Sequence, residues 1–116
     1  GVEIVAEVVG LEAAIQKADL IVTGEGRIDG QSVRGKTPVG IARLAQTHGK
    51  PVLAIGGMLA DDAAAVYTEG IDALTSCTRK ICGLKEALRH GRTNIQLAAR
   101  DAARLLRLGK MLPIDA

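Results

Sequence analysis

Aromatic residues are almost absent from this chain of 116 residues, which has one Tyr and neither Phe nor Trp. Proteins that bind single-stranded nucleic acids stack the bases on aromatic side chains, so the composition argues against that class of protein. The core must also be aliphatic. Hydrophobic residues make up 47% of the sequence, which is enough for one compact domain at this length.

A large excess of either charge is also lacking, since 15 Lys and Arg residues stand against 13 Asp and Glu residues and the net charge is +2 at pH 7. This value is too small to indicate a polyanionic partner. Lys and Arg are concentrated between Arg79 and Lys110, where Glu86 and Asp101 are the only acidic residues. No nucleic-acid recognition motif accompanies them, so the interpretation is a solvated helical surface with no nucleic-acid partner.

Cysteines and long apolar runs are few as well. Cys77 and Cys82 have no second Cys pair and no His pair nearby, so the sequence predicts reduced thiols and no metal site. No apolar run is long enough to cross a bilayer. The expectations are therefore a cytoplasmic location and no membrane partner.

Hydrophobic periodicity predicts alternating strands and helices. Short runs rich in β-branched residues predict buried strands at Asp19–Thr23, Pro51–Ile55 and Asp72–Ser76. Helical spacing predicts helices between the strands and at both ends of the chain. Their expected positions are Val2–Val9, Leu11–Lys17, Thr37 (with Pro38 in the first turn) to Gly49, Asp61 to Gly70, Leu84–His90, and a last helix capped by Thr93 or Asn94 and ending before Pro113.

Apolar strands that alternate with helices predict an α/β fold, with a short parallel sheet that has helices on both faces. Three strands leave at least one sheet edge that needs a partner strand. The chain also begins at Gly1 without a Met and runs at once into an apolar segment. We therefore expect residues 1–116 to be a single α/β segment of a longer protein, and its exposed edge to favour a homo-oligomer when the segment is alone.

The polar, glycine-rich segment Gly24–Lys36 is predicted to be a loop between the first strand and a helix N-terminus. Ligands of parallel α/β sheets bind at this end of the strands, and helix N-termini attract anions. Asp29 is a candidate for taking or orienting the proton of a substrate hydroxyl. Arg27 and Lys36 are candidates for holding a carboxylate or a developing phosphoryl charge.

The glycines of this segment, Gly24, Gly26 and Gly35, would let a ligand approach the backbone closely. A purely structural interpretation stays open, in which Asp29 and Arg27 form an ion pair that only pins the loop. Charge and glycine content alone do not decide between the two.

The string Gly30–Thr37 also matches the phosphate-binding pattern GxxxxGKT. In a true P-loop the strand leads almost directly into the first glycine, whereas here Gly24–Asp29 intervene. Pro38 also removes a backbone donor where the phosphate cradle would continue. A P-loop is therefore the less favoured interpretation.

The sequence TGEGRID (Thr23–Asp29), followed by GQSVRGKTPVGIARLA (Gly30–Ala45), resembles the glycerate kinase family that includes the bacterial enzymes. Gly1–Lys17 resembles the helical lead-in of that family, and Leu84–Leu88 and Asn94–Leu108 are similar to its C-terminal end. The resemblance implies a two-domain α/β kinase, with its site between the domains, that uses ATP and Mg²⁺ to phosphorylate a hydroxyl of D-glycerate.

The resemblance also implies that this chain is only the C-terminal portion, because the family's N-terminal lysine-containing segment and its central glycine- and serine-rich segment are absent. By this resemblance, Asp29 and Arg27 are the catalytic candidates. After the second strand, Met58 stands where a turn of glycine and small residues is expected. The substrate-binding candidates are Gly24, Glu25, Gly26 and Lys36.

Three functions stay open on the sequence. The chain is part of a glycerate kinase and is inactive without the remaining portion of the parent enzyme. Alternatively, it is a stand-alone nucleotide- or anion-binding module that uses Gly30–Thr37, or a non-enzymatic α/β interaction domain. The second function predicts ATP affinity for the isolated chain, lost in Lys36→Ala, and the third predicts that Asp29→Ala has no effect on any kinase activity.

Overall fold

The computed structural model of the chain describes residues 10–34 and 37–113. The chain divides into two compact units, one ending at Ser76 and the other beginning at Cys77. The predicted helix at Val2–Val9 lies outside the described residues. No helix in the described part of the chain is long and apolar enough to span a membrane.

The first unit is a parallel α/β sheet with three strands, which confirms the predicted fold class. The strands lie in the order β1-β2-β3, and both neighbouring pairs are parallel. The elements in chain order are helix α1 (Leu11–Lys17), strand β1 (Ile21–Ile28), a first 3-10 helix (Gly30–Arg34), helix α2 (Thr37–Thr47), strand β2 (Val52–Leu59), a second 3-10 helix (Ala63–Glu69) and strand β3 (Ala73–Ser76).

The core of this unit is aliphatic, as the composition requires. Helix α2 packs on the face of the sheet to which Ile21 and Val52, a register pair of β1 and β2, contribute. Side chains alternate between the faces of a strand, so Val22 points to the opposite face, where it is 55% exposed. The buried core cluster consists of Ile15, Ile28, Val39, Ala42, Ala45, Val52, Ala54, Ala63, Val66 and Ile71.

Helix α2 ends at Thr47, and Gly49 is its C′ residue, as predicted. Gly49 has a φ of +66°, and its N–H donates to the Gln46 carbonyl at 3.0 Å. The N–H of Lys50 donates to the Ala45 carbonyl at 3.0 Å. These two bonds are the Schellman pattern, which satisfies the last carbonyls of a helix and favours glycine at the left-handed position.

The prediction that Gly24–Lys36 is a loop is wrong for its first half. Strand β1 continues to Ile28, with Glu25 paired to Gly56 and Arg27 paired to Met58 of β2. The Gly56–Gly57 pair, expected to turn the chain, lies inside β2. The reason is close packing between strands, because a Cβ at Gly57 would be 2.7 Å from the carbonyl oxygen of Gly26.

The helix predicted from Asp61 to Gly70 is also wrong in type. The segment Ala63–Glu69 is a 3-10 helix, and Asp62 at its start makes no side-chain capping bond. The Asp62 carboxylate lies instead against Gly30, where a Cβ would be 3.0 Å from Asp62 Cγ. Asp62, the neighbour of the predicted cap Asp61, therefore contacts the segment that follows β1.

The second unit contains helix α3 (Leu84–Arg89) and helix α4 (Gly91–Met111). Helix α4 begins at Gly91, earlier than the predicted caps at Thr93 and Asn94, and it ends before Pro113 as predicted. Of its apolar stripe, Ala98 is buried and Leu105 is 67% exposed.

Asp101, on helix α4, accepts hydrogen bonds from Arg79 at 2.8 Å and from Arg100 at 3.0 Å. These bonds, Arg79 first, hold the pKa of the Asp101 carboxyl below its ordinary value. Cys77 is half-buried and Cys82 is exposed, and both are free thiols.

Candidate functional site

The carboxyl end of strand β1 runs into a tight turn built by Asp29. The Asp29 side-chain oxygen Oδ1 accepts a hydrogen bond from the backbone N–H of Gln31 at 2.9 Å. Its own N–H donates to Ser32 Oγ at 3.1 Å, and the N–H of Ser32 donates to the Asp29 carbonyl at 3.0 Å. Ser32 is 1% exposed. Side-chain bonds of this kind satisfy the orphan donors at a helix start, so they fix Asp29 at the beginning of the first 3-10 helix.

Arg27 and Asp29 form an ion pair at the same edge of the sheet. Arg27 Nε lies 3.0 Å from Asp29 Oδ2, and Arg27 Nη1 lies 3.5 Å from the sulfur of Met58 on β2. The Asp29 side chain is 16% exposed, whereas that of Arg27 is 59% exposed. The strand register explains the sulfur contact, because Arg27 and Met58 are directly opposite one another. The structure thus joins the two catalytic candidates, with a half-buried carboxylate beside a cation that faces solvent.

The substrate-binding candidates Gly24, Glu25 and Gly26 precede this pair on β1, and all three are exposed. A Cβ at Gly24 would be in ordinary contact, 3.4 Å from the Ile55 carbonyl oxygen. A Cβ at Gly26 would meet nothing within 4 Å. The fold therefore does not require glycine at position 26, which leaves that position as open surface next to Arg27.

The fourth substrate-binding candidate, Lys36, lies outside the described residues together with Gly35. The chain resumes at Thr37, where helix α2 begins.

Comparison with known proteins gives a consistent answer. Residues 1–107 match the glycerate kinase family. The chain belongs to that family. It is 44% identical to a glycerate kinase of Bacillus subtilis (strain 168), over 97% of this chain and 29% of the relative. It is 45% identical to a glycerate 2-kinase of Escherichia coli (strain K12), over 94% of this chain and 29% of the relative.

A solved structure agrees with the sequence matches. A chain described as glycerate kinase 2 from Salmonella typhimurium LT2 superimposes with a TM-score of 0.69 and 41% identity. The match covers 95% of the present chain and 28% of the Salmonella chain. The chain thus spans less than a third of the length of the glycerate kinases that it matches.

The GxxxxGKT string of this glycerate kinase family member does not have the geometry of a P-loop in its described part. Residues Gly30–Arg34 form a 3-10 helix. A P-loop offers backbone N–H groups to phosphate oxygens, whereas here the N–H groups of Gln31 and Ser32 are bonded to Asp29. The structure therefore supports the sequence argument against a P-loop.

Two neighbours of the candidate site were not predicted from the sequence. Met58 was noted only as a departure from the family pattern, and its contact with Arg27 spans 31 residues of sequence. Asp62 follows the predicted cap Asp61 and was given no role, yet its carboxylate lies against Gly30. The signal available for both was the parallel register, since the carboxyl ends of β1 and β2 must meet at one edge.

Among residues 10–34 and 37–113, no group of three His, Cys, Asp or Glu side chains is arranged to hold a metal ion. Mg²⁺ in kinases is commonly bound by one or two carboxylates together with the substrate phosphates. The described residues therefore do not form a resident metal centre by themselves.

The open space at Gly26 leads to a prediction on the full-length parent protein. Gly26→Ala is expected to raise KM for the substrate about tenfold, because forcing a methyl group into a fitted contact costs roughly 1–3 kcal/mol. The unfolding free energy should stay the same or rise by up to about 1 kcal/mol, since glycine weakens a strand. Steady-state kinetics and thermal unfolding measure the two effects.

Gly57→Ala is the matched control, because its added Cβ would lie 2.7 Å from the backbone oxygen of Gly26. It should lower the unfolding free energy by about 1–3 kcal/mol. A Gly26→Ala enzyme with an unchanged KM would show that substrate does not approach this position.

Proposed function

We propose that the chain is part of an ATP-dependent kinase that phosphorylates a hydroxyl of D-glycerate to give a phosphoglycerate, in the cytoplasm. The observation that carries the proposal is the fixed Asp29 carboxylate beside the exposed Arg27 guanidinium, 3.0 Å apart at the carboxyl edge of a parallel sheet. Membership of the glycerate kinase family supplies the reaction class. A ligand site at this edge agrees with the general behaviour of parallel α/β sheets.

In this proposal Asp29 accepts the proton of the attacking glycerate hydroxyl or orients that hydroxyl towards the phosphoryl group. The turn holds the carboxylate in place before substrate binds, and such positioning is a main source of catalysis in phosphoryl transfer.

Arg27 holds either the carboxylate of glycerate or the developing charge on the phosphoryl group. A guanidinium carries five N–H donors in a planar fork that fits both oxyanions. Its contacts with Asp29 and Met58 use the Nε and Nη1 groups, so the rest of the fork is available to a ligand on the solvent side. Glu25, Gly24 and Gly26 line the approach to this pair, and Lys36 is a further substrate-binding residue in the proposal.

ATP is the proposed phosphoryl donor and Mg²⁺ its companion cation. The Mg²⁺ would be bound through the ATP phosphates together with one or two carboxylates, which does not require a resident metal centre. Phosphoryl transfer draws on several segments of a kinase. Because the chain spans 29% of its relatives, we propose that it is inactive without the remaining portion of the parent enzyme.

The test compares the isolated chain with its full-length parent. The parent should release ADP only when glycerate is present, and phosphorus NMR should identify the phosphoglycerate formed and the hydroxyl that is modified. The isolated chain should show neither turnover nor ATP binding by calorimetry. A full-length protein that does not turn over ATP with glycerate would overturn the proposal. ATP binding by the isolated chain that is lost in Lys36→Ala would favour a nucleotide-binding module.

A further inference from the structure

Met58 lies beside the candidate site rather than in the core of the sheet. It is directly opposite Arg27 in the register of β1 and β2, and its sulfur accepts a hydrogen bond from Arg27 Nη1 at 3.5 Å. Methionine in proteins commonly fills gaps in an apolar core. Met58 is instead 50% exposed and does not belong to the buried core cluster. Core packing therefore does not account for a methionine at this position.

The thioether of Met58 is suited to a contact with an arginine that must also bind substrate. A thioether sulfur is a weak acceptor, whereas hydrogen bonds from a guanidinium to charged oxygens are strong. The Asp29 carboxylate already accepts from Arg27 Nε at 3.0 Å. Because the sulfur binds Nη1 only weakly, an oxyanion of the substrate can replace it. Met58 thus helps to orient Arg27 and hardly competes for its charge.

We propose that Met58 is an oxidation site, at which hydrogen peroxide weakens the binding of substrate by Arg27. In this reaction a lone pair of the sulfur attacks one oxygen of the peroxide. An S–O bond forms, the O–O bond breaks, and the departing oxygen takes up the remaining proton and leaves as water. The sulfur loses two electrons and the peroxide gains them. The product is methionine sulfoxide, a polar side chain that methionine sulfoxide reductases convert back to methionine.

The new oxygen is bonded to the sulfur that Arg27 Nη1 already contacts, so it lies within reach of the guanidinium. It is a much stronger acceptor than the thioether and competes with the substrate for Arg27. We expect kcat/KM to fall about three- to tenfold, the size of one hydrogen bond to a charged group discounted for exposure. This effect on activity rests on the proposed glycerate kinase function. The formation of the sulfoxide at Met58 does not.

The first experiment treats the full-length parent, Met58→Leu and Met111→Leu with hydrogen peroxide, and mass spectrometry of peptides locates the sulfoxides. Met111, the other methionine of the chain, is the matched control, because it is 73% exposed and lies in the second unit. Each protein is compared with its own untreated sample, so oxidation elsewhere affects all three alike. The loss of kcat/KM in the wild type and in Met111→Leu should exceed that in Met58→Leu about three- to tenfold. Methionine sulfoxide reductase with dithiothreitol should reverse this difference, whereas dithiothreitol alone should not.

The second experiment needs no oxidant. Met58→Gln places an amide oxygen where the sulfoxide oxygen would lie, and it should lower kcat/KM about three- to tenfold relative to Met58→Leu. If Met58→Gln does not fold, the peroxide comparison decides alone. Equal losses in the wild type and Met58→Leu would overturn the inference. So would an unmodified Met58 under peroxide that oxidises free methionine in the same solution. A wild-type parent without glycerate-dependent turnover would refute the proposed function, while the sulfoxide content of Met58 would still test the modification.

Discussion

Asp29→Asn in the full-length parent is expected to lower kcat for glycerate about 100- to 10,000-fold, the range typical of a lost general base. The substitution removes the carboxylate charge but keeps an oxygen where Oδ1 now accepts the N–H of Gln31 at 2.9 Å. The turn should therefore survive. The ion pair with Arg27 is lost, and because the Arg27 side chain is 59% exposed, the unfolding free energy should fall by less than about 1 kcal/mol.

Asp29→Ala is the structural comparison, because it removes the Gln31 bond as well. It should lower both kcat and the melting temperature, whereas Asp29→Asn should lower kcat alone. The variant contains an Asn–Gly pair, which deamidates back towards Asp, so intact-mass measurement must accompany each assay. Turnover at the wild-type rate in verified Asp29→Asn enzyme would leave the Arg27–Asp29 pair as a structural pin.

Arg27→Met is the second large prediction. It should lower kcat/KM about 100- to 1000-fold, as expected for a lost donor to developing negative charge. Its effect on stability should stay below about 1 kcal/mol, since the guanidinium is exposed and its ion pair is screened by solvent. Kinetics over a range of glycerate and ATP concentrations would show which substrate Arg27 binds, because the KM for that substrate should rise.

The second unit of the chain supplies a control for this second prediction. Arg79 pairs with Asp101 at 2.8 Å, and its side chain is 31% exposed. Arg79→Met removes an Arg–Asp pair of the same kind, away from the β1 edge in sequence and in a different unit of the fold. It should leave kcat/KM unchanged. Equal losses in Arg27→Met and Arg79→Met would indicate a general effect of charge rather than a role in the site.

The parts of the fold that depend on local signals could be predicted from sequence. Apolar runs located all three strands, and Gly49 correctly marked the end of helix α2. Glycine content misled at Gly24–Gly26 and at Gly56–Gly57, because the usual association of glycine with turns takes no account of a partner strand. These glycines lie within two strands that face each other, where the Gly26 backbone approaches Gly57 closely.

In the candidate site, too, local sequence signals found some residues and missed those that depend on a partner strand. Charge pattern and family resemblance found Asp29 and Arg27, which are two residues apart and bond each other. The partners from β2 and from the segment after it, Met58 and Asp62, could not be found in this way. Their positions follow from the register between β1 and β2, and register is a property of two strands together.

The open space beside Gly26 makes this position suitable for changing the substrate specificity by substitution. A side chain introduced there would project from β1 next to Arg27 without meeting another atom within 4 Å of its Cβ. Most residues around a site also support the scaffold, so changing them alters shape and stability together. Here the two effects fall on neighbouring strands. A side chain has free space at Gly26 on β1, whereas the close packing that requires glycine lies at Gly57 on β2. A small library at position 26 could therefore reshape acceptor selectivity, in favour of hydroxy acids other than glycerate, on an unchanged sheet.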